Sequence, residues 1–104
     1  METSTQGAAS QAHEVAIARA GDVTGPELLT YAAHHNAAVR AVVASRPDCP
    51  VSAFISLGHD HAPEVLQALL ANPATPTSVI RKLADHRDAE VSEPAIQRLR
   101  NSSL

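Results

Sequence analysis

The sequence repeats itself at an interval of 26 residues, and this interval constrains the fold more than any other feature. The three copies span residues 24–49, 50–75 and 76–101. A recurring apolar face that no single unit can bury alone is typical of stacked supersecondary units, so the interval predicts a repeat protein. The apolar positions that align are Val39, Val65 and Val91; Tyr31, Leu57 and Leu83; and Leu28, Phe54 and Ile80.

Each unit contains two predicted helices. We expect the first to be short and partly 3₁₀ in character. It begins with a capping box at Thr24 and Glu27 in the first unit and, in the third, with Pro76 at the first helical position directly after Thr75. The second begins after a polar turn and ends before Pro47 or Pro73, because the residue that precedes a proline is pushed out of the helical region. The predicted fold is therefore all-α: a short α-solenoid of about three 26-residue two-helix repeats.

The third unit departs from this pattern at Pro94, which takes the place of Val42 and Ala68 inside the expected second helix. Proline removes a helical hydrogen bond and costs about 3 kcal/mol at an interior position. We therefore expect the helix to end there and to restart, with Ser92 as the new cap.

The composition describes one small domain of 104 residues, 44% of them hydrophobic. We expect residues 1–11 to form a mobile tail, residues 12–101 the repeat domain and residues 102–104 a second tail, with an N-terminal capping half-repeat over residues 13–23. The net charge of −3 offers no general attraction to nucleic acid or to anionic membranes. No apolar run reaches membrane-spanning length, so we expect no membrane partner and a cytoplasmic location.

Histidines and aspartates cluster in the predicted turns. His34, Asp60 and His86 align in the 26-residue register, and His59 and His61 flank Asp60. Imidazole and carboxylate groups from adjacent turns suit Zn²⁺ or a related ion, which makes these five residues candidate metal ligands. The alternative is ordinary turn chemistry at an exposed edge. We favour that alternative and predict no cofactor. The lone Cys49 excludes a cysteine-based metal cluster.

Arginines are the second group of candidates. Arg40 either faces a ligand or forms an ion pair with Glu14 or with an acidic residue of an adjacent turn, and we favour the ion pair. Arg46, Asn72 and Arg98 align at the ends of the second helices, where cations complement the negative helix terminus. A nucleic-acid site would need a continuous basic strip, which Asn72 interrupts, and stacking aromatic residues, which are missing.

A family resemblance is carried by the run from Leu70 to His86 and by the residues around Val39. The run resembles the leucine-rich repeat variant family of bacterial proteins, whose unit reads approximately Asn-Pro-x-Thr-Pro, Leu-x-x-Leu-Ala and then Val-Arg-x-x-Val-Ala. The resemblance implies a right-handed superhelix of alternating α- and 3₁₀-like helices and no shared enzymatic activity. The iron–sulfur centre of some members does not carry over, because its cysteines are missing here. The matching residues are Asn72, Pro73, Thr75, Pro76, Ile80, Leu83, Ala84 and His86, with Val39, Arg40, Val43 and Ala44 for the later part.

These observations predict a non-enzymatic interaction or adaptor module that binds another protein along its repeat surface. No glycine-flanked nucleophile or phosphate-cradling loop indicates catalysis. Metal binding at the His/Asp edge, nucleic-acid binding and weak self-association through the ends of the stack stay as alternatives. Leu29 and Leu66 are expected on the surface, Leu66 outside a buried set of Val65, Leu69 and Leu70. The predicted contact residues are Arg40, Arg46, His35, His61, Leu66 and Arg98.

Overall fold

A computed structural model describes residues 14–21, 23 and 25–102. These residues contain helices and no strand, which confirms the predicted all-α fold. The shorter helices are α-helices, so the expected 3₁₀ character is wrong; seven or eight residues are enough for two α-helical turns. The helices are α1 (14–19), α2 (Pro26–Ala32), α3 (Ala37–Ser45), α4 (Val51–Leu57), α5 (Pro63–Ala71), α6 (Thr77–Ala84) and α7 (Ala89–Ser102).

The structure describes one residue of the two predicted tails, Ser102. The tail over residues 1–11 lies outside the described residues, as do residues 103 and 104. Ser102, which we expected to begin the second tail, is instead the last residue of α7.

The apolar positions that align in the sequence are buried at equivalent places. Val39, Val65 and Val91 are at most 1% exposed, and Phe54 is 2% exposed. Tyr31 is half-buried and packs against the same core. The buried side chains form one cluster that extends from α1 to α7. The 26-residue interval therefore predicts correctly that these aligned side chains contribute to the core.

The helix starts differ from the predicted caps. Thr24 lies outside the described residues, and the residue that flanks α2 is Gly25, whose φ of 56° lies in the left-handed region that favours glycine. Pro76 is the N-cap of α6 rather than its first residue. The Thr75 hydroxyl does not cap α6; it donates to the Leu69 carbonyl at 2.7 Å, because Thr75 is buried against the end of α5.

Helix α7 continues through Pro94 without a break, so the predicted restart at Ser92 is wrong. A proline nitrogen cannot bond to the carbonyl four residues earlier, which here belongs to Glu90. The side-chain amide of Gln67 on α5 donates to that carbonyl at 3.1 Å. The hydrogen-bond partner that the proline cannot supply therefore comes from a neighbouring helix.

Several contacts join helices that alternate along the chain: α2 contacts α4, α3 contacts α5, and α5 contacts α7. The most extensive pairings are α3 with α5 and α6 with α7. The body is elongated, with principal dimensions of 52 × 28 × 17 Å.

Candidate functional site

Three aligned side chains form a carbonyl ladder; two follow the ends of α3 and α5, and the third lies within α7. Arg46, Asn72 and Arg98 each donate through one side-chain nitrogen to two backbone carbonyls, which lie 28 and 26 residues earlier. These carbonyls lie at the C-terminal end of the helix one 26-residue interval earlier, namely α1, α3 and α5, where intrahelical donors are lacking. The acceptors, all 2.8–3.0 Å from the donor nitrogen, are Ala18 and Ala20, Ala44 and Arg46, and Leu70 and Asn72.

The ladder changes the interpretation of two predicted contact residues. Arg46 is 8% exposed, and its remaining N–H groups bind the carboxylate of Asp48 at 2.9 and 2.7 Å. These hydrogen bonds lower the pKa of Asp48. Arg98 is half-buried and also donates to the carbonyls of Pro73 and Thr75 at 3.2 Å. Both guanidinium groups therefore join helices to one another. The sequence aligned the two arginines but did not show that they reach back to the helix one 26-residue interval earlier.

The aligned turn residues act as local caps. The Nδ1 atoms of His34 and His86 each accept the backbone N–H two residues later, at 3.0 Å. Asp60 Oδ1 accepts the N–H of Ala62 at 2.9 Å in the same arrangement. A side chain that bonds its own backbone two residues on stabilises a turn, so this edge shows the turn chemistry that we favoured.

Arg40 and Asp60 form an ion pair at this edge. Arg40 Nε and Nη2 donate to the Asp60 carboxylate at 2.7 and 3.2 Å, and Nη1 donates to the carbonyls of His34 and His35. Partial burial raises the pKa of Asp60, but hydrogen bonds from Arg40 and from the Ala62 N–H outweigh it, so the pKa lies below its usual range. Arg40 thus forms the expected ion pair, and its partner is Asp60.

The candidate metal ligands do not converge. The Nε2 atom of His34 pairs with Glu14, and its ring stacks on His35 with centroids 4.3 Å apart. His59 and His61 are exposed. Within residues 14–21, 23 and 25–102, no three His, Cys, Asp or Glu side chains lie close enough together to hold a metal ion.

Cys49 lies in the core, not at a reactive position. It is 6% exposed, and burial together with the nearby Asp48 raises its pKa to about 11. A thiol that is protonated and covered at neutral pH is a poor nucleophile.

The exposed apolar side chains were predicted only in part. Leu29 on α2 is 41% exposed, as expected. Leu66 is 1% exposed, so its expected exposure is wrong, whereas Leu70, which was expected in the core, is half-buried. Val51 and Ile55 are 62% and 49% exposed on α4, which contacts α2, and Ile96 on α7 is 38% exposed. We call the exposed residues of α2, α4 and α6 the first-helix face. Large apolar patches on a protein surface mark interaction sites, whereas single scattered apolar side chains are ordinary.

A shallow cavity of about 310 Å³ lies between α6 and α7. Its wall includes Arg98, Thr77 and Ile80. The Arg98 guanidinium is already bonded to backbone carbonyls there, so the cavity offers one partly used cation and hydroxyl groups.

Comparison with family models, with curated proteins and with solved structures finds no match to this chain. The resemblance to the leucine-rich repeat variant family therefore stays a prediction. Within the part of the chain that the structure describes, the helices are too short or too polar to cross a membrane.

Proposed function

We propose that this chain is a short α-solenoid of about three 26-residue units that binds another protein through its first-helix face and catalyses no reaction. The solenoid arrangement is supported by the carbonyl ladder, whose donors and acceptors recur at the same two separations. It is also supported by the equal burial of Val39, Val65 and Val91. A stack of such units presents an extended surface suited to binding macromolecules.

The observation that carries the binding proposal is the exposure of Leu29, Val51 and Ile55 together. The three side chains lie on two contacting helices, and Val51 and Ile55 are one helical turn apart on α4. Burying such a group against a partner releases water from apolar surface, at roughly 25 cal/mol per Å². The arginines and Leu66 that we first expected to contact a partner are mostly occupied inside the molecule.

A capture experiment with matched variants tests the proposal. The full chain, its Ile55→Glu variant and a control variant, Gln97→Glu, are each immobilised and exposed to extract of the native cells. The control adds the same charge at an exposed position of α7. We expect one protein to be retained by the wild type and the control and to bind Ile55→Glu at least about tenfold more weakly, since a buried charge opposes the contact. Equal retention by all three proteins, with unchanged thermal unfolding, would contradict the proposed face.

A further inference from the structure

Helix α6 repeats the pattern of buried and exposed positions of α4. The same positions enter the core on both helices, namely Ala53 and Val79, Phe54 and Ile80, and Leu57 and Leu83. The exposed positions therefore correspond as well: Ile55 with Arg81, and Ser56 with Lys82. The two helices approach closely at one end, because a Cβ atom placed on Gly58 would lie 3.2 Å from Val79 Cγ1.

Charge is distributed unevenly along this face. Helix α4 contains no charged residue, and its exposed side chains are two aliphatic groups and two serines. On α6, Arg81 and Lys82 are exposed, and neither forms an ion pair with another described residue. The exposed aliphatic side chains thus lie on α4 and the two exposed cations on α6, and the chain comes close to α6 where Gly58 follows α4.

The other described helices carry charges of both signs. Glu64 on α5 and Glu90 and Glu93 on α7 are exposed, and α7 also carries the exposed Arg100 and the half-buried Arg98. The chain as a whole has a net charge of −3. Arg81 and Lys82 are therefore a local basic pair, followed by the exposed Asp85, on a chain of negative net charge.

We propose that the first-helix face binds an acidic amphipathic segment of a partner protein, with apolar side chains on Val51 and Ile55 and carboxylates on Arg81 and Lys82. This inference rests on the proposed function and specifies the chemistry of the partner. The apolar contact supplies affinity, and the two cations at its rim select the sign of the partner's charge and its orientation. Nucleic acid fits less well, because the face offers two adjacent cations, no aromatic residue for stacking, and Glu27 on α2.

Two designed peptides test the sign of the charge. Each is a 16-residue alanine-based helix with two leucines four positions apart; one carries four glutamates around them and the other four lysines. Each is titrated into the isotopically labelled full chain while backbone amide signals are followed. We expect the glutamate peptide to shift signals of α4 and α6 and to bind about tenfold more tightly than the lysine peptide. Net charge alone predicts the reverse order, so the result separates the local field from the global one.

Charge reversal provides the matched variant. In Arg81→Glu/Lys82→Glu the preference should invert, with the lysine peptide bound about tenfold more tightly, because both residues are exposed and their replacement leaves the core intact. In Ile55→Glu both peptides should lose affinity.

Several outcomes would overturn the inference. Equal affinity for both peptides at an Ile55-dependent site would refute the charge preference while leaving the interaction face standing. Signal shifts confined to α7, or no binding of either peptide up to millimolar concentration, would refute the inference as well. Concentration-dependent self-association that both Ile55→Glu and Glu93→Lys abolish would assign the face to a second copy of the chain instead.

Discussion

Arg46, Asn72 and Thr75 are buried, and each donates its side-chain hydrogens to backbone carbonyls at helix ends. No buried side-chain nitrogen or oxygen among the described residues lacks a hydrogen-bond partner. A buried polar group without a hydrogen-bond partner would cost about 1–3 kcal/mol. The polar side chains of the core therefore lie where backbone carbonyls can accept their hydrogens.

Asp60 should make stability depend on pH. Its folded-state pKa is depressed, so its contribution is present above the unfolded-state value and is lost as pH falls through the folded-state value, below about 4. Asp60→Asn should lower the free energy of unfolding by about 1–2 kcal/mol at pH 7 and by much less at pH 3. Urea denaturation at both pH values measures this. The exposed Asp85→Asn serves as control, and an equal loss for Asp60→Asn at pH 3 would contradict the ion-pair explanation.

Cys49 should react slowly in the folded protein. With a pKa of about 11, only about one thiol in ten thousand is ionised at pH 7, and the sulfur is covered as well. We expect labelling by a thiol-specific reagent to be at least about a hundredfold slower in buffer than in 6 M urea, and to accelerate as pH rises. Rapid labelling under native conditions would show that the turn between α3 and α4, which contains Cys49, opens readily.

Helix α7 shows how an element can tolerate a residue that its own sequence disfavours. Pro94 leaves the Glu90 carbonyl without its usual donor, and Gln67 of α5 provides one. The continuity of α7 is therefore a property of two helices together, which is why inspection of residues 89–102 alone predicted a break.

Gln67 and Pro94 should be energetically coupled. Gln67→Ala should cost about 1 kcal/mol in the wild type, because the Glu90 carbonyl loses its donor. In a Pro94→Ala background the restored N–H at position 94 can bond to that carbonyl, and the same change should cost less than about half as much. A double-mutant cycle by chemical denaturation measures the difference. Identical costs in the two backgrounds would show that Gln67 contributes only through packing.

On the scale of the whole molecule, the carbonyl ladder connects the end of each helix to that of the helix one 26-residue interval earlier. Arg46 joins the segment after α3 to the end of α1, and Arg98 joins α7 to the end of α5. If the chain is a stack of units, stability is a sum of neighbouring interfaces, and loss of one connection should loosen the molecule locally.

Hydrogen exchange of two ladder variants tests this locality. Arg98→Ala should accelerate amide exchange mainly in α7 and at the end of α5. Arg46→Ala should accelerate it mainly in residues 14–20 and in the turn that holds Asp48. Both changes remove charge-assisted bonds to carbonyls and should each cost about 2 kcal/mol. A uniform acceleration along the described chain in either variant would indicate a single cooperative unit.

The sequence by itself determined the helical class, the 26-residue interval and the positions that enter the core, because burial follows from the periodic placement of apolar side chains. It also aligned Arg46, Asn72 and Arg98, and His34, Asp60 and His86. The tertiary structure alone decided which carbonyls the ladder residues reach, that Leu66 rather than Leu70 is buried, and that α7 passes through Pro94. Each of these features depends on how neighbouring helices pack against one another. That packing determines which hydrogen-bond partners meet and which side chains are covered, and neither can be read from the residue pattern of a single helix.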